Sequence, residues 1–315
     1  MDHNPLVSVV IPTHNRKESV VRLIASILIS TYKNIEIIVV DDYSTEDVGL
    51  YIKKRIKSNK IKYIRNKRNL FTAETRNVGQ KYANGDLILF IDDDNVVDRN
   101  MIKEMVWVFE KDKQVGEVGP INYSWTKKSK IFWTGTYRNM WTTKTYHLVN
   151  VPSHQKYWTT PDVPNAFMVR SDIVKKFKIW FNPKYEIMYE ESDYAYRIRE
   201  SGYMVAVSKK AKIYHDIEEY SKNGKTKDYM YHFMNNPRRA FVFARNRVIF
   251  HKRFSSKPQF IFIVLFWIWF FSIYYIYKFG FYKGPGSFSV IRRVQLAVWY
   301  MLGTVAGVRQ TVTFF

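Results

Sequence analysis

Three adjacent carboxylates, Asp92-Asp93-Asp94, follow the apolar run at 87–91. Side chains this close repel one another unless a cation shares them, and hard oxygen ligands with open positions suit Mg²⁺ or Mn²⁺ carrying a substrate's phosphates. Alternation along an extended segment turns Asp92 and Asp94 to one side and Asp93 to the other. A solvated acidic turn is the plain alternative. The apolar strand before the triplet and a second acidic strand end at Asp41-Asp42 favour a site. Another cluster, Glu190-Glu191-Ser192-Asp193, opens a helical stretch that runs through Arg197 and Arg199 to Gly202. Carboxylates at a helix start are stabilised by the macrodipole, so an ordinary acidic first turn accounts for them too. The chemical reading is that one of them removes a proton from an acceptor hydroxyl as general base.

The elements that must hold these groups alternate in type. Residues 7–11 and 35–40 are short β-branched runs bounded by turn residues, as in strands buried on both faces, with a helical stretch at 17–30 between them. The pattern repeats as a strand at 61–64, a helix at 73–82 closed by Asn84-Gly85, and a strand at 87–91. Such alternation predicts an α/β fold with a parallel, doubly wound sheet. Ligands of such sheets sit outside the carboxyl ends of the strands, so 12–15, 41–42 and 92–95 are expected around one cleft.

At this point the residues resemble a known family. VSVVIPTHNR at 7–16, IIVVDDYSTED at 37–47, TRNVGQKYANGDLILFIDDDN at 75–95 and YEESDYAYRIRESGY at 189–203 are similar to inverting, nucleotide-sugar-dependent glycosyltransferases of family 2. The resemblance covers about residues 5–215. It implies the GT-A fold, a Rossmann-like, mostly parallel sheet flanked by helices, with a divalent metal, Mn²⁺ or Mg²⁺, as cofactor. It implies that Asp92 and Asp94 bind this metal, Asp94 being the more direct ligand, with His215 as a third ligand in some members. It implies that Pro12, Thr13 and Asn15 line the nucleotide pocket, that Asp42 contacts the base and that Arg76 sits near the diphosphate. Asp93 is counted with this nucleotide-binding set. Asn165, in the turn before a short strand, belongs to the donor-sugar pocket. Family members usually carry Glu-Asp at the start of the base helix, the Asp being the base, and the matching residue here is Glu191. The extra methylene leaves Glu190 and Asp193 as alternatives.

Composition bounds the rest. Fifty Lys plus Arg against twenty-eight Asp plus Glu give a formal charge of +22, which calls for an anionic partner. The absence of cysteine excludes disulfides, thiolate metal sites and a cysteine nucleophile. The N-terminus enters a strand without a signal-like segment, so the folded part is expected to stay in the cytoplasm. Residues 260–277 carry no charge and would reach about 27 Å as a helix, enough for a transmembrane helix. A second uncharged run, 294–308, suits an interfacial or re-entrant helix. The stretch 237–254 interleaves basic and apolar side chains, a surface for lipid headgroups. Charges flank the apolar run on both sides, at Lys252, Arg253 and Lys257 and at Lys278, Lys283, Arg292 and Arg293, and both flanks are expected on the cytoplasmic side. The expected division is therefore a GT-A catalytic domain over 1–236 and a membrane-associated helical segment over 237–315, with the protein at the cell membrane. An aromatic-rich excursion at 125–158 could bind an acceptor or simply pack.

These features point to transfer from a UDP-, GDP- or dTDP-sugar to a lipid-linked or glycan acceptor. A nucleotidyltransferase of similar fold is the enzymatic alternative, but it usually has a glycine-rich loop after its first strand, and PTHNRKES has none. A non-catalytic membrane-surface protein is the alternative of another class. No nucleic-acid-binding motif accompanies the charge, so nucleic acid is not an expected partner.

Overall fold

The computed structural model describes residues 4–215, 236–281 and 289–311. Lys283, among the expected flanking charges, lies outside them. Four parallel strands come first along the chain: β1 (Val7–Thr13), β2 (Ile35–Asp41), β3 (Ile61–Arg65) and β4 (Leu87–Ile91). They are joined through α1 (Lys17–Leu28), α2 (Val48–Arg55) and α3 (Phe71–Tyr82). β1 pairs with β2 and with β4, and β2 with β3. The apolar residues of β1, β2 and β4 are buried on both faces, as crossover helices require, whereas those of the edge strand β3 are half-buried.

The second half adds β5 (Asn95–Val97), α4 (Met101–Lys111) and β6 (Val115–Ser124). Short strands β7 (Ile131–Trp133), β8 (Thr136–Arg138), β9 (Thr145–His147) and β10 (Tyr157–Thr159) follow. Then come β11 (Ala166–Arg170), α5 (Ser171–Lys176), α6 (Glu190–Glu200) and β12 (Met204–His215). The large sheet runs β10-β12-β6-β11-β4-β1-β2-β3. β11 is wedged antiparallel between β4 and β6, so the sheet is mixed and the doubly wound pattern holds only for its first half.

Core residues cover both faces. Val9, Ile11, Leu23, Ile24, Leu89 and Met105 pack on the side of α1 and α4. On the other side Phe90, Phe167, Phe181 and Tyr194 form an aromatic cluster, with Phe181 and Tyr194 centroids 4.5 Å apart and Phe90 and Phe181 4.9 Å apart. Tyr194 belongs to α6, so this cluster fixes the helix that starts with the second acidic group. α3 lies against β1 at Gly79, where an added Cβ would stand 2.2 Å from Cγ1 of Val10. Gly79→Ala should therefore lower stability by about 1–3 kcal/mol through overpacking, read as a lower denaturant midpoint.

The chain divides into two compact units. One contains the sheet and its helices. The other gathers Arg138–Thr145, Ile187–Tyr189 and, of the described residues, the helices from 236 onward. These are α7 (Pro237–Phe254), α8 (Lys257–Phe281) and α9 (Val290–Thr311). Asn236 starts α7 by accepting a hydrogen bond from the Arg239 N–H (2.9 Å), and Ser256 with Gln259 forms a capping box on α8. Among the described residues, α8 is the one helix long and apolar enough to cross a membrane, with a mean hydropathy of 2.1. The second apolar run is the inner part of a longer helix, α9, because flanking Arg292, Arg293 and Arg309 are helical as well. α9 meets α7 through Gly303 and Gly307, where added Cβ atoms would stand 2.1 Å from the Phe241 carbonyl oxygen and 2.8 Å from Cβ of Val248. Small residues at this spacing let helix backbones touch.

Candidate functional site

The strand-end loops of the first unit meet as the sheet topology requires. Pro12 and Thr13 close β1 in register with Val40 and Asp41. Thr13 Oγ1 donates to Asp93 Oδ2 (2.7 Å), tying the first strand end to the acidic turn. Asn15 has a left-handed backbone (φ 56°), and its side-chain oxygen accepts from the N–H (2.7 Å) and hydroxyl (3.0 Å) of Thr45. The β1 and β2 loops are thereby stitched together. Asp42 is buried, and both its oxygens are engaged by Leu70 N (2.7 Å), Phe71 N (2.9 Å) and Asn66 Nδ2 (2.9 Å). It anchors the start of α3 and, through that helix, Arg76.

The Asp92-Asp93-Asp94 triplet does not alternate. It is a turn rather than an extended segment, so Asp93 and Asp94 face one cation while Asp92 faces another. Arg16 Nη1 donates to Asp93 Oδ1 and Asp94 Oδ2, both at 3.0 Å. Arg76 Nη2 donates to Asp92 Oδ1 at 2.6 Å. Burial pushes Asp93 up to about 7, against Arg16, with the neighbouring Asp94 charge adding to the rise. At Asp94 burial is outweighed by His215 and Arg16, which hold its carboxyl well below the usual carboxylate range. His215 Nε2 lies 3.3 Å from Asp94 Oδ1. Burial opposes the imidazolium, but Asp94, with Asp92 and Glu191 behind it, raises the His215 pKa.

The donor set fits a divalent cation. A hard carboxylate oxygen and an imidazole nitrogen stand side by side at Asp94 and His215, a combination that Mn²⁺ accepts. Among the described residues no group of three or more His, Asp or Glu could hold an ion unaided. Phosphate oxygens and water would have to complete the coordination. Asp92 stands with Arg76 rather than with Asp94 and His215.

Arg76 is the hub of the other half of the site. Only 1% of it is exposed, and its guanidinium contacts Glu190 Oε1 (3.2 Å) and Glu191 Oε1 (2.7 Å) as well as Asp92, with the Phe181 ring centroid 5.4 Å away. Burial works against its charge, but Asp92, Glu191 and Glu190 outweigh it and raise its pKa. The arginine expected beside a diphosphate is thus built into a buried cluster of carboxylates.

The three carboxylates of the α6 start have different surroundings. Asp193 is bound within its own helix by Arg197, at 2.8 Å from Nε and 2.5 Å from Nη2. Glu190 is 4% exposed, its Oε2 has no hydrogen-bond partner, and burial pushes its pKa up to about 8, against Arg76 and with Glu191. Glu191 keeps 17% of its side chain exposed, and its Oε2 accepts the Asn165 N–H (3.1 Å). Burial raises its pKa and Arg76 lowers it. Of the three, Glu191 is both oriented and reachable.

Asn165, expected in the donor-sugar pocket, has a left-handed backbone (φ 77°). Its side chain exchanges hydrogen bonds with Asn95 (2.8 and 2.9 Å) and donates to Asn122 Oδ1 (2.7 Å), a buried carboxamide knot that fixes the backbone N–H holding Glu191. Sequence reasoning placed Asn95 at the cleft, within 92–95, without a role, and missed Arg16 and Asn122. Arg16 ends the quoted VSVVIPTHNR segment, whereas Asn122 sits in β6 without a local signal. Glu117 was missed as well: it is fully buried, neither oxygen has a hydrogen-bond partner, and burial, with Asp162 and Glu191, raises its pKa well above the usual range.

Glu190 predicts a pH effect. An acid whose folded pKa exceeds its unfolded value contributes stability below the unfolded pKa and loses it as pH rises through the folded one. Between about 4.5 and about 8 the Glu190 contribution therefore falls, and Glu190→Gln lacks this loss. The Tm of Glu190→Gln relative to the parent should rise across that window.

Comparison with known proteins gives this geometry a context. Residues 8–177 match the family model described as Glycosyl transferase family 2. Over 108 residues the chain is 38% identical to the Escherichia coli UDP-Glc:alpha-D-GlcNAc-diphosphoundecaprenol beta-1,3-glucosyltransferase WfaP, covering 34% of this chain and 43% of that protein. Matches span between 14% and 58% of the length of this and other curated relatives. Among solved structures, GalNAc-T7 with UDP, GalNAc and Mn²⁺ has a TM-score of 0.61 at 17% identity, over 79% of this chain and 51% of that one. The mannosyltransferase PcManGT from Pyrobaculum calidifontis, in complex with GDP-Man and Mn²⁺, has a TM-score of 0.60 at 13% identity, over 99% of this chain and 89% of that one. At these identities the likeness is one of fold, and the fold is GT-A.

Proposed function

The chain belongs to glycosyl transferase family 2, and from that premise we propose that it moves a sugar from a nucleotide-sugar donor to a hydroxyl of a lipid-linked or glycan acceptor, with inversion at the anomeric carbon. The observation that carries the reading is Glu191, held between Arg76 and the Asn165 N–H yet partly exposed. A carboxylate retains lone pairs beyond the two used here, so Glu191 can accept the acceptor's proton as its oxygen attacks the sugar. Burial raises the Glu191 pKa while Arg76 acts against that rise, favouring the ionised form that a base requires. Asn165, Asn95 and Asn122 hold the N–H that orients it. No covalent intermediate is needed.

Thr13, Asn15, Pro12 and Asp42 shape or support the nucleotide side, and Asp93 holds Thr13 and Arg16 in place beside it. A divalent cation, Mn²⁺ or Mg²⁺, would be held by Asp94 and His215, with Asp92 the further candidate, and would supply positive charge to the departing diphosphate. The named ligands of the structural relatives, UDP and GDP-Man with Mn²⁺, support a UDP- or GDP-sugar donor. The acceptor named for WfaP, a diphosphoundecaprenol, supports a lipid-linked acceptor. So does apolar α8, which suits attachment to the cell membrane; within this proposal the catalytic unit works on the cytoplasmic side, where nucleotide sugars are made. A site held at the bilayer meets a lipid substrate at raised effective concentration. The family match favours attack on a sugar over nucleotidyl transfer.

A thermal-shift series with nucleoside diphosphates and nucleotide sugars, with and without Mn²⁺, tests the reading, because a ligand that binds only the folded state raises its stability. A metal-dependent shift with one donor is expected, and Asp94→Ala should abolish it. A folded parent that shifts with none of them would refute the proposal.

A further inference from the structure

Within the helical unit, α8 is apolar enough to span a bilayer, yet its neighbours are not. Phe243 of α7 meets Tyr275 (6.1 Å between ring centroids), the Arg247 guanidinium lies over Phe271 (4.5 Å), and Lys252 lies over Phe260 (5.0 Å). Numbers rise along α7 as they fall along α8, so the two helices run antiparallel over most of their length. α7 carries Arg238, Arg239, Arg245, Arg247, Lys252 and Arg253. At the midpoint of α8, Trp267 donates its indole N–H to the Thr142 carbonyl, and Phe262 packs on Trp141 (5.8 Å). A bilayer centred on Trp267 would have to swallow a basic helix and an irregular loop that carries Lys144, which lipid does not tolerate at that depth.

The opposite side of the same helix pair is apolar and open. Phe266, Phe270, Ile273, Tyr277 and Phe281 follow one another at helical spacing, each 58–68% exposed, over about 22 Å. Val290, Ile291 and Val294 extend the patch onto α9, which is bound to α8 through Ser272 and Thr304 (3.2 Å) and through Arg293 and the Gly280 carbonyl (2.9 Å). Basic residues stand at both ends of the pair, Lys252, Arg253 and Lys257 at one and Lys278, Arg292 and Arg293 at the other. A helix lying flat at the interface keeps both basic groups among anionic headgroups, whereas a spanning helix drives one of them across.

We infer that α8 and α9 lie in the plane of an anionic membrane, with the Phe266-to-Phe281 stripe sunk into one leaflet, and that the protein is monotopic rather than spanning. This deepens the membrane attachment proposed above and rests on it, but is independent of the transfer chemistry.

The chain has no cysteine, so single cysteines report without background. Asn59→Cys on the sheet unit, Lys257→Cys and Gly280→Cys at the two ends of α8, and Phe270→Cys at its exposed face would be reconstituted into sealed phosphatidylcholine–phosphatidylglycerol vesicles. Gly280 accepts a side chain, since an added Cβ meets nothing within 4 Å. An impermeant maleimide should reach positions 59, 257 and 280 from the same face. A nitroxide at position 270 should lie about 5–10 Å below the headgroup boundary by its accessibility to oxygen and to a water-soluble nickel chelate. Phe270→Glu should weaken partitioning about ten- to hundredfold while leaving the melting curve in detergent unchanged. Labelling of position 280 only from the face opposite position 59, a nitroxide at the bilayer midplane, or no vesicle binding by the parent would each overturn the inference. None of these readouts depends on sugar transfer, so a failed transfer assay leaves the inference standing, and a spanning result leaves the transfer reading standing.

Discussion

Glu191→Gln should bind the nucleotide-sugar donor as tightly as the parent and transfer sugar about 10²–10⁴-fold more slowly. Glutamine keeps the length of the side chain and an oxygen that can accept the Asn165 N–H, but it cannot take a proton from a hydroxyl at neutral pH. Arg76 would retain Asp92 and Glu190 as partners, so the cluster should hold its shape. The neighbouring variants sharpen the test. Glu190→Gln removes a carboxyl with almost no route to solvent, and Asp193→Asn removes one already spent on Arg197. Both should keep transfer within about tenfold of the parent, a loss well below that of a removed general base. Donor affinity by calorimetry and kcat at saturating donor separate the cases, and full activity in Glu191→Gln would remove it as the base.

The second large effect belongs to Arg76. Arg76→Met leaves Glu190 and Glu191 without their buried cation, and breaking a buried ion pair by deleting one partner costs about 3–5 kcal/mol. Because Asp92 is about one-third exposed and Glu190, with a pKa raised to about 8, is largely protonated at neutral pH, most of that loss should come from Glu191. Equilibrium unfolding in urea should show the midpoint falling with an unchanged slope. Arg76→Lys should recover only part of the loss, since an ammonium cannot present the planar fork that reaches three carboxylates at once. A midpoint equal to the parent's would mean that these contacts contribute little net stability.

Much of the fold was legible where pattern and environment agree. The β4 strand has the ends read from its apolar run, and β1 and β2 begin where expected but run on to Thr13 and Asp41, because the ladder continues through polar strand ends. What no local pattern carries is pairing direction, and so the antiparallel β11 was not foreseen. The site was legible as residue types and not as partnerships. Arg76 looks like a surface cation on a helix, and its burial is created by Glu190, 114 residues further on. The alternation expected of the three aspartates failed because a turn obeys no period of two. Segment 125–158 showed no period because it folds into strands of three residues separated by loops.

The antiparallel wedge also sets an order of events during synthesis. Asn95 and Asn165, which close the carboxamide knot, are 70 residues apart. At the usual elongation rate of about 5–20 residues per second, some 4–14 s separate their emergence from the ribosome. For that interval β4 can pair with β1 while its other edge, Leu87–Ile91, waits uncovered for β11. A nascent chain in that state presents an apolar strand edge, the kind of surface that chaperones hold and neighbouring chains capture. Slowing translation between these two points should therefore lower the soluble yield, and a chaperone present during that window should restore it.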